Sequence, residues 1–314
     1  MKRALFIAGP TASGKSALSL QAADVLDGII INADSMQVYK ELPVLTACPS
    51  ADDEKKTPHR LYRFLNADQV CSAAFWADKA MEEIESAWLQ NKTPIVVGGT
   101  GMYFKILIDG IAKIPDIPHV VRRAVRQQCE EEGSKVLHGE LSQYDTLTAA
   151  RLPEGDSQRI CRAVEVYRAT GIALSVWQQD TPPGPMTELD KQGGLTKVIL
   201  SPDRDVLYDR CNRRFDQMIT QGALDEVRSL DSQQLPHDLP VMRALGVPSL
   251  IAYLRGQLHM DEALNDAKMQ TRRFAKRQLT WFRNQFSDWN RLSAQYSERE
   301  FANFVNKILK SKVD

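Results

Sequence analysis

Residues 9–16 read Gly9-Pro10-Thr11-Ala12-Ser13-Gly14-Lys15-Ser16, a complete G-x-x-x-x-G-K-[ST] phosphate loop. Backbone N–H groups of such a loop turn inward around an anion, and the helix that follows adds partial positive charge at its N-terminus. Lys15 is placed to reach a terminal phosphate, and the Ser16 hydroxyl to ligate Mg2+. Apolar Ala4–Ala8 before the loop and helix-competent Ala17–Leu20 after it supply the strand and the helix that the motif needs. The motif leaves open whose phosphate it holds.

Other groups could work beside this loop. Asp34 follows the apolar run Gly28–Ile31, so in a parallel sheet it stands at a C-terminal strand end, facing the phosphate site. A carboxylate there can act as general base or bind Mg2+ through water; the same spacing also suits an Asx turn or a helix N-cap. Gly98-Gly99-Thr100-Gly101 closes a strand over 94–97 with no Asp or Glu, where ordinary phosphate-loop ATPases place a Mg2+-binding carboxylate. That counts against ATP hydrolysis. The small residues allow close approach of a substrate to backbone, or a tight turn capped by Thr100. Arg210, Arg213 and Arg214 could neutralise a leaving pyrophosphate, or pair on the surface with Asp205, Asp209 and Asp216.

Residues 268–283 carry six basic side chains and no acidic one, with Phe274, Trp281 and Phe282 interleaved. Helical spacing puts Arg273, Lys276 and Arg277 on one face. Such a strip suits a nucleic-acid backbone, or a solvated face pairing with acids elsewhere. Arg159, Arg162 and Arg168 form a weaker second set, diluted by Glu165. His59, alone in Thr57-Pro58-His59-Arg60, is assigned no role.

These groups need a frame to position them. The chain has 314 residues, 43% hydrophobic and 25% charged, an ordinary globular composition with room for a large domain and an insertion. Its 40 basic and 40 acidic residues cancel, so any nucleic-acid surface must be local. Cys48, Cys71, Cys129, Cys161 and Cys211 are scattered without C-x-x-C spacing, which points to reduced thiols in the cytoplasm rather than a zinc site. No apolar run approaches membrane length, and Met1-Lys2-Arg3 precedes too short an apolar segment for a signal peptide.

Strand–loop–helix repetition over the first 110 residues predicts an α/β fold: a phosphate-loop NTPase-like parallel sheet flanked by helices. A helix is expected over 72–90, and strands over 94–97 and 196–200. Further helices are expected over 119–133, 136–144 and 156–169, then over 203–230, 244–256 and 260–285. Pro182-Pro183-Gly184-Pro185 and Gly193-Gly194 mark a linker. The expected division is a core domain of 1–112 and 193–314 with C-terminal helices, and a small all-helical insertion over 113–192.

Taken together, these segments resemble the bacterial tRNA dimethylallyltransferases. The resemblance is carried by Gly9–Ser16, Ala33–Tyr39, Pro58–Leu61, Val97–Tyr103, Asp156–Ala163 and Ala275–Phe282, in the family's order and over nearly the whole chain. It implies alkylation of the N6 amine of adenosine 37 in the tRNA anticodon loop by dimethylallyl diphosphate, with Mg2+ as cofactor and pyrophosphate released. The diphosphate would lie on Gly9, Pro10, Thr11, Ala12, Ser13, Gly14, Lys15 and Ser16, with Ser16 on the metal. An exocyclic amine is a poor nucleophile, because its lone pair is delocalised into the ring. The resemblance makes Asp34 the base that removes its proton. Thr100 would orient the amine and diphosphate, and Arg214 would stabilise the departing pyrophosphate together with Lys15 and Mg2+. The base must leave its stack to reach the pocket, at a cost of about a few kcal/mol.

By the same resemblance, tRNA is gripped by Asp34, Ser35, Met36, Gln37, Thr100, Arg122, Gln158, Arg159, Ile160, Cys161, Arg162, Arg243 and Gly246. Lys276 and Arg277 add the basic strip. The insertion is thus a tRNA-contacting element, no membrane is involved, and a monomer is expected. The chain departs from the commonest family pattern at Glu41–Pro49, which keeps Thr46 but has Leu45 for a glycine and Cys48 for a lysine. Val247-Pro248 stands where an aromatic and a charged residue are common. Two other chemistries use the same loop: a small-molecule kinase, with Asp34 activating a hydroxyl, and a prenyltransferase acting on free adenine nucleotides. The absent strand-end carboxylate weighs against the first and the basic C-terminal strip against the second.

Overall fold

The computed structural model describes residues 2–293. Met1 and residues 294–314, the end of the expected core domain, lie outside the described residues. The chain divides into two compact units, one of residues 1–108 with 185–314 and one of 109–184.

The apolar runs of the first third become strands and the stripes between them helices. In chain order these are β1 (Ala4–Ala8), α1 (Lys15–Leu26), β2 (Gly28–Asn32), α2 (Ala51–Lys56), β3 (His59–Arg60), α3 (Ala73–Leu89), β4 (Thr93–Gly98) and α4 (Gly101–Asp109). The second unit is built from α5 (His119–Glu132), α6 (Ser134–Tyr144), α7 (Thr146–Arg151), α8 (Ser157–Thr170) and α9 (Leu174–Gln179). The chain then adds α10 (Thr187–Lys191), β5 (Leu195–Leu200), α11 (Arg204–Thr220), α12 (Ala223–Ser232), α13 (Val247–Leu254), α14 (Met260–Gln285) and β6 (Asn290–Leu292).

The six strands form one sheet in the order β3-β2-β4-β1-β5-β6, and every pairing is parallel. Side chains of β1 alternate between two cores. Phe6 joins Trp76, Ile84, Phe104, Phe282 and Trp289 on one face; Leu5 and Ile7 join Leu18, Ala22, Leu26 and Val198 on the other. Both faces are covered, which is why the strands read as unbroken apolar runs. Leu5, Phe6 and Ile7 are fully buried, each contributing about 1.5–3 kcal/mol relative to exposure. The register brings Ala8 beside Gly98 and Ile199, and Asn32 beside Val97. The carboxyl ends of the central strands therefore form one ledge, where ligands of such sheets bind.

The structure differs from the sequence reading in places with clear causes. The edge strands β3 and β6 are too short to show a period. The expected helix over 203–230 breaks into α11 and α12 at Gly222, whose φ of 102° suits glycine. Residues 187–191, read as linker within the insertion, form helix α10 and belong to the core: Met186 is fully buried beside Phe6 and Trp76, and its N–H donates to the Leu107 carbonyl at 2.8 Å. The second unit packs Val125, Leu137, Leu141, Ile160 and Val164 into its own small core. Among the described residues no helix is long and apolar enough to cross a membrane.

Candidate active site

The phosphate loop leaves β1 and ends at α1. Gly14 caps this helix in a left-handed conformation, φ 95°, which favours glycine. No side chain caps the helix and its first turn carries no acidic residue, so its N–H groups remain available to an anion. The loop also holds Ala12 at φ 62°. The buried Ser13 hydroxyl has no hydrogen-bond partner among the described residues, an unused donor inside the loop. Ala12 to Ser16 face Arg210, Arg213, Arg214 and Gln217 of α11 across a cavity of about 410 Å³. A cavity walled by one lysine and three arginines is a site for a polyanion.

Sequence reasoning left the arginines of α11 divided between catalysis and surface pairing, and the structure divides them. Arg213 pairs with Asp209 at 2.6 Å on an exposed helix face, and Asp216 is taken by Lys268 at 2.5 Å. Arg214 turns into the loop and donates to the Thr11 hydroxyl. Lys15 donates to the Pro10 carbonyl at 2.6 Å. Lys15 as a whole is half-buried, but its ammonium is enclosed. That enclosure lowers its pKa from 10.5 to about 8, opposed by the Asp34 charge and reinforced by Arg214. Burial also lowers the pKa of Arg214, again opposed by Asp34. Asp34, Lys15 and Arg214 are therefore close enough to feel one another's charge.

Asp34 is both a turn residue and a free carboxylate. Its Oδ1 accepts the Met36 N–H at 2.9 Å, the Asx turn anticipated as the plainer reading. Its Oδ2 accepts no hydrogen bond among the described residues. The backbone around it is fixed by neighbours: Asp34 N–H donates to Asn32 Oδ1 at 2.8 Å, and Ala33 O accepts from Thr100 N at 3.1 Å. The Thr100 hydroxyl accepts the Ser35 N–H at 3.0 Å and donates to the Ser35 hydroxyl at 3.3 Å. One lone pair of that hydroxyl remains for an incoming N–H.

The run Gly98–Gly101 is closely packed. Its small residues make room for other parts of the protein. A Cβ at Gly98 would lie 2.0 Å from the Ala33 carbonyl oxygen, one at Gly99 2.4 Å from Gln278 Nε2, and one at Gly101 1.9 Å from the Trp281 ring. Gln278 is buried; it accepts the Thr11 N–H at 2.9 Å and donates to the Gly99 carbonyl at 2.8 Å. Sequence reasoning assigned Gln278 no role. The available signal was a polar residue on the buried stripe Thr271, Ala275, Gln278, Phe282 of α14.

The residues expected to grip tRNA fall into unlike places. Arg243, Lys276 and Arg277 are exposed, as is Arg273 beside them, while Lys268 and Arg272 of the same helix are tied to Asp216 and Asn212. In the second unit Gln158 and Arg159 are exposed. Ile160 and Cys161 are buried in that unit's core and present no side chain to a partner, because α8 turns that face inward. Arg162 lies 3.9 Å from the buried Glu165 carboxylate, and Arg122 Nε is buried with no hydrogen-bond partner among the described residues. Gly246 is a buried turn residue, φ 91°, packed on Phe215 and Leu45. The Gln37 side-chain amide donates to the Thr46 and Ala47 carbonyls, bracing the loop rather than presenting its N–H groups.

The departures from the family pattern are absorbed by packing. Leu45 is buried with Phe215 and Met218. Its N–H and that of Val44 are held by the Glu226 carboxylate at 2.9 and 2.7 Å. The Cys48 thiol approaches the Thr46 hydroxyl at 3.4 Å, and burial pushes its pKa up to about 11, so it is an inert filler rather than a replacement for a charged lysine. All five cysteines are free.

A phosphate loop on a parallel sheet, with a carboxylate and two cations near its mouth, defines an α/β fold of the phosphate-loop kind. Residues 37–285 match the IPP transferase family, and the chain belongs to that family. A tRNA dimethylallyltransferase of Methylobacterium nodulans is 47% identical over 300 residues, covering 95% of this chain and 98% of its own length. The full-length tRNA isopentenylpyrophosphate transferase of Bacillus halodurans superposes with a TM-score of 0.70 at 31% identity, covering 99% and 98% of the two chains. A eukaryotic dimethylallyltransferase, captured acting on tRNA, shares the fold with a TM-score of 0.82 at 24% identity, over 99% of this chain and 80% of its own.

Proposed function

We propose that this protein transfers the dimethylallyl group from dimethylallyl diphosphate to N6 of adenosine 37 in the anticodon loop of tRNA, releasing pyrophosphate. The observation that carries this reading is the convergence of Asp34, Lys15 and Arg214 at a phosphate loop whose neighbouring strand end has no carboxylate. The names of its relatives agree, since they are tRNA dimethylallyl or isopentenylpyrophosphate transferases.

In this mechanism the diphosphate lies against the loop N–H groups and the first turn of α1. The amine nitrogen attacks the dimethylallyl carbon as the bond from that carbon to the diphosphate oxygen breaks, and the electron pair leaves with pyrophosphate. Asp34 Oδ2 takes the N6 proton as the bond forms. Lys15 and Arg214 neutralise the growing charge on the leaving group. Thr100 receives the second N6 hydrogen on its remaining lone pair and holds the amine in line. Mg2+, when bound, shares the diphosphate charge; Ser16, exposed at the start of α1, would hold it with diphosphate oxygens. No three metal-ligating side chains cluster among the described residues, which suits an ion that keeps waters and takes substrate oxygens. Arg273, Lys276 and Arg277 on α14, with Gln158, Arg159 and Arg162 in the insertion, supply local surfaces for the tRNA backbone.

The test is to incubate the protein with dimethylallyl diphosphate, Mg2+ and unmodified tRNA, then digest the tRNA and analyse its nucleosides by mass spectrometry. N6-dimethylallyladenosine is expected in the tRNA, and no alkylated AMP in a parallel reaction. Efficient alkylation of free AMP, or phosphoryl transfer from ATP with unmodified tRNA, would replace this reading with one of the two alternatives.

A further inference from the structure

Helix α14 buries two polar side chains at the core, and they behave differently. Thr271 donates to the Ala267 carbonyl at 2.8 Å within its own helix. Gln278 reaches out in two directions, to the Thr11 N–H and to the Gly99 carbonyl, partners 267 and 179 positions away in sequence. Both of its partners lie at the reaction centre. Thr11 also carries Arg214 on its hydroxyl. Gly99 adjoins Asp34, since a Cβ there would lie 3.5 Å from Oδ2. One turn further along α14, Trp281 fills the space over Gly101, so the helix is wedged against this strand end at two points.

From this we infer that Gln278 is a positioning residue: its amide sets the separation between the diphosphate loop and the strand end that frames Asp34. The inference rests on the function proposed above. In an in-line displacement the leaving diphosphate and the attacking amine must hold a fixed distance, and an error near 1 Å costs about 100-fold in rate. A glutamine serves because it offers one acceptor to Thr11 and one donor to Gly99 from a single rigid plane. Glycine is required at 99 because any side chain would displace this amide.

Gln278→Glu and Gln278→Met test it. An ionised glutamate accepts from Thr11 but offers Gly99 no donor. A protonated glutamic acid restores one donor and one acceptor. Asp34 lies beside Gly99 and Arg214 on Thr11, the two bridged partners, with Lys15 and the Cys211 thiol near Arg214. At about pH 8 both variants should lose about 100-fold in kcat, with KM for tRNA and for dimethylallyl diphosphate changed only a few-fold. The site is buried, and burial raises a carboxyl's pKa, so as the pH falls to about 5.5 Gln278→Glu should recover relative to the wild type as its carboxyl protonates, while Gln278→Met should not. Wild-type kcat in Gln278→Met, or a constant deficit in Gln278→Glu across that range, overturns the inference. If Gln278→Met does not fold, the pH series on Gln278→Glu decides alone. Hydrogen exchange of the 9–16 segment reads the bridge without turnover: it should quicken about tenfold in Gln278→Met, and unchanged exchange also overturns the inference. A wild type with no transferase activity would instead remove the function, leaving the bridge to be judged by exchange.

Discussion

Gly14 and Gly101 stand at the starts of helices that follow neighbouring strands of one sheet, yet their surroundings differ. A side chain at Gly14 would meet nothing within 4 Å; one at Gly101 would overlap the Trp281 ring. The first glycine borders a cavity lined by cations, and the second lies under helix α14. Glycine leaves room at a strand end, and the occupant is decided by the rest of the fold. After β1 the space is left open and lined by cations, as the proposed diphosphate requires. After β4 the occupant is the chain itself, and the rigidity gained there holds Asp34 and Thr100 in place.

The comparison can be broken at several points. The largest effect is expected at Asp34, which both strand ends serve. Asp34→Ala should lower kcat by about 100- to 10,000-fold while pyrophosphate affinity, measured by calorimetry, is retained; undiminished turnover would leave Asp34 a turn residue only. Next come the glycines. Gly101→Ala should cost about 3 kcal/mol through overpacking, read as a lower unfolding midpoint. Gly14→Ala should cost about 1–2 kcal/mol through left-handed strain and weaken pyrophosphate binding. If Gly14→Ala proves the more destabilising, the two ends are not different in the way described.

Lys15 gives a pH signature at the open end alone. Its pKa is about 8 in the folded protein against 10.5 for the free side chain. The unfolded chain thus holds more protons between those values. The penalty for burying Lys15 is full below about pH 8 and relieved as the pH rises toward 10.5. Pyrophosphate prefers the charged lysine, so its affinity should fall by about tenfold per pH unit above the folded pKa, and Lys15→Met should remove that part of the slope in a calorimetric titration. The smallest effect is expected on the exposed face of α14. Neutralising Lys276 and Arg277 should weaken tRNA binding and reduce its salt slope by about 0.7–0.9 for each phosphate left without its cation; an unchanged slope would make that strip a solvated face.

Much of the frame was legible because it is local. The phosphate loop, the apolar strands and the amphipathic helices each declare themselves within about twenty residues. Asp34 was legible as a candidate only, because a carboxylate after a buried strand also makes an Asx turn, as its Oδ1 does here. What was not legible depends on sequence-distant approach. Nothing near Gly99 announces Gln278, and nothing near Leu45 announces the Glu226 carboxylate that holds its N–H. The edge strand Asn290–Leu292 is found only through its pairing with β5. Ile160 and Cys161 were assigned to a surface by resemblance, whereas α8 uses them for the core of the second unit.

The central claim is that the loop presents a dimethylallyl donor to one adenosine of tRNA. The most direct measurement is transfer of label from dimethylallyl diphosphate, with Mg2+, to an unmodified tRNA with adenosines at positions 36, 37 and 38, beside the same tRNA carrying guanosine at 37. Label on the first tRNA alone is expected. Label on neither, from folded protein that still binds tRNA, would contradict the claim and point the loop toward a different phosphate.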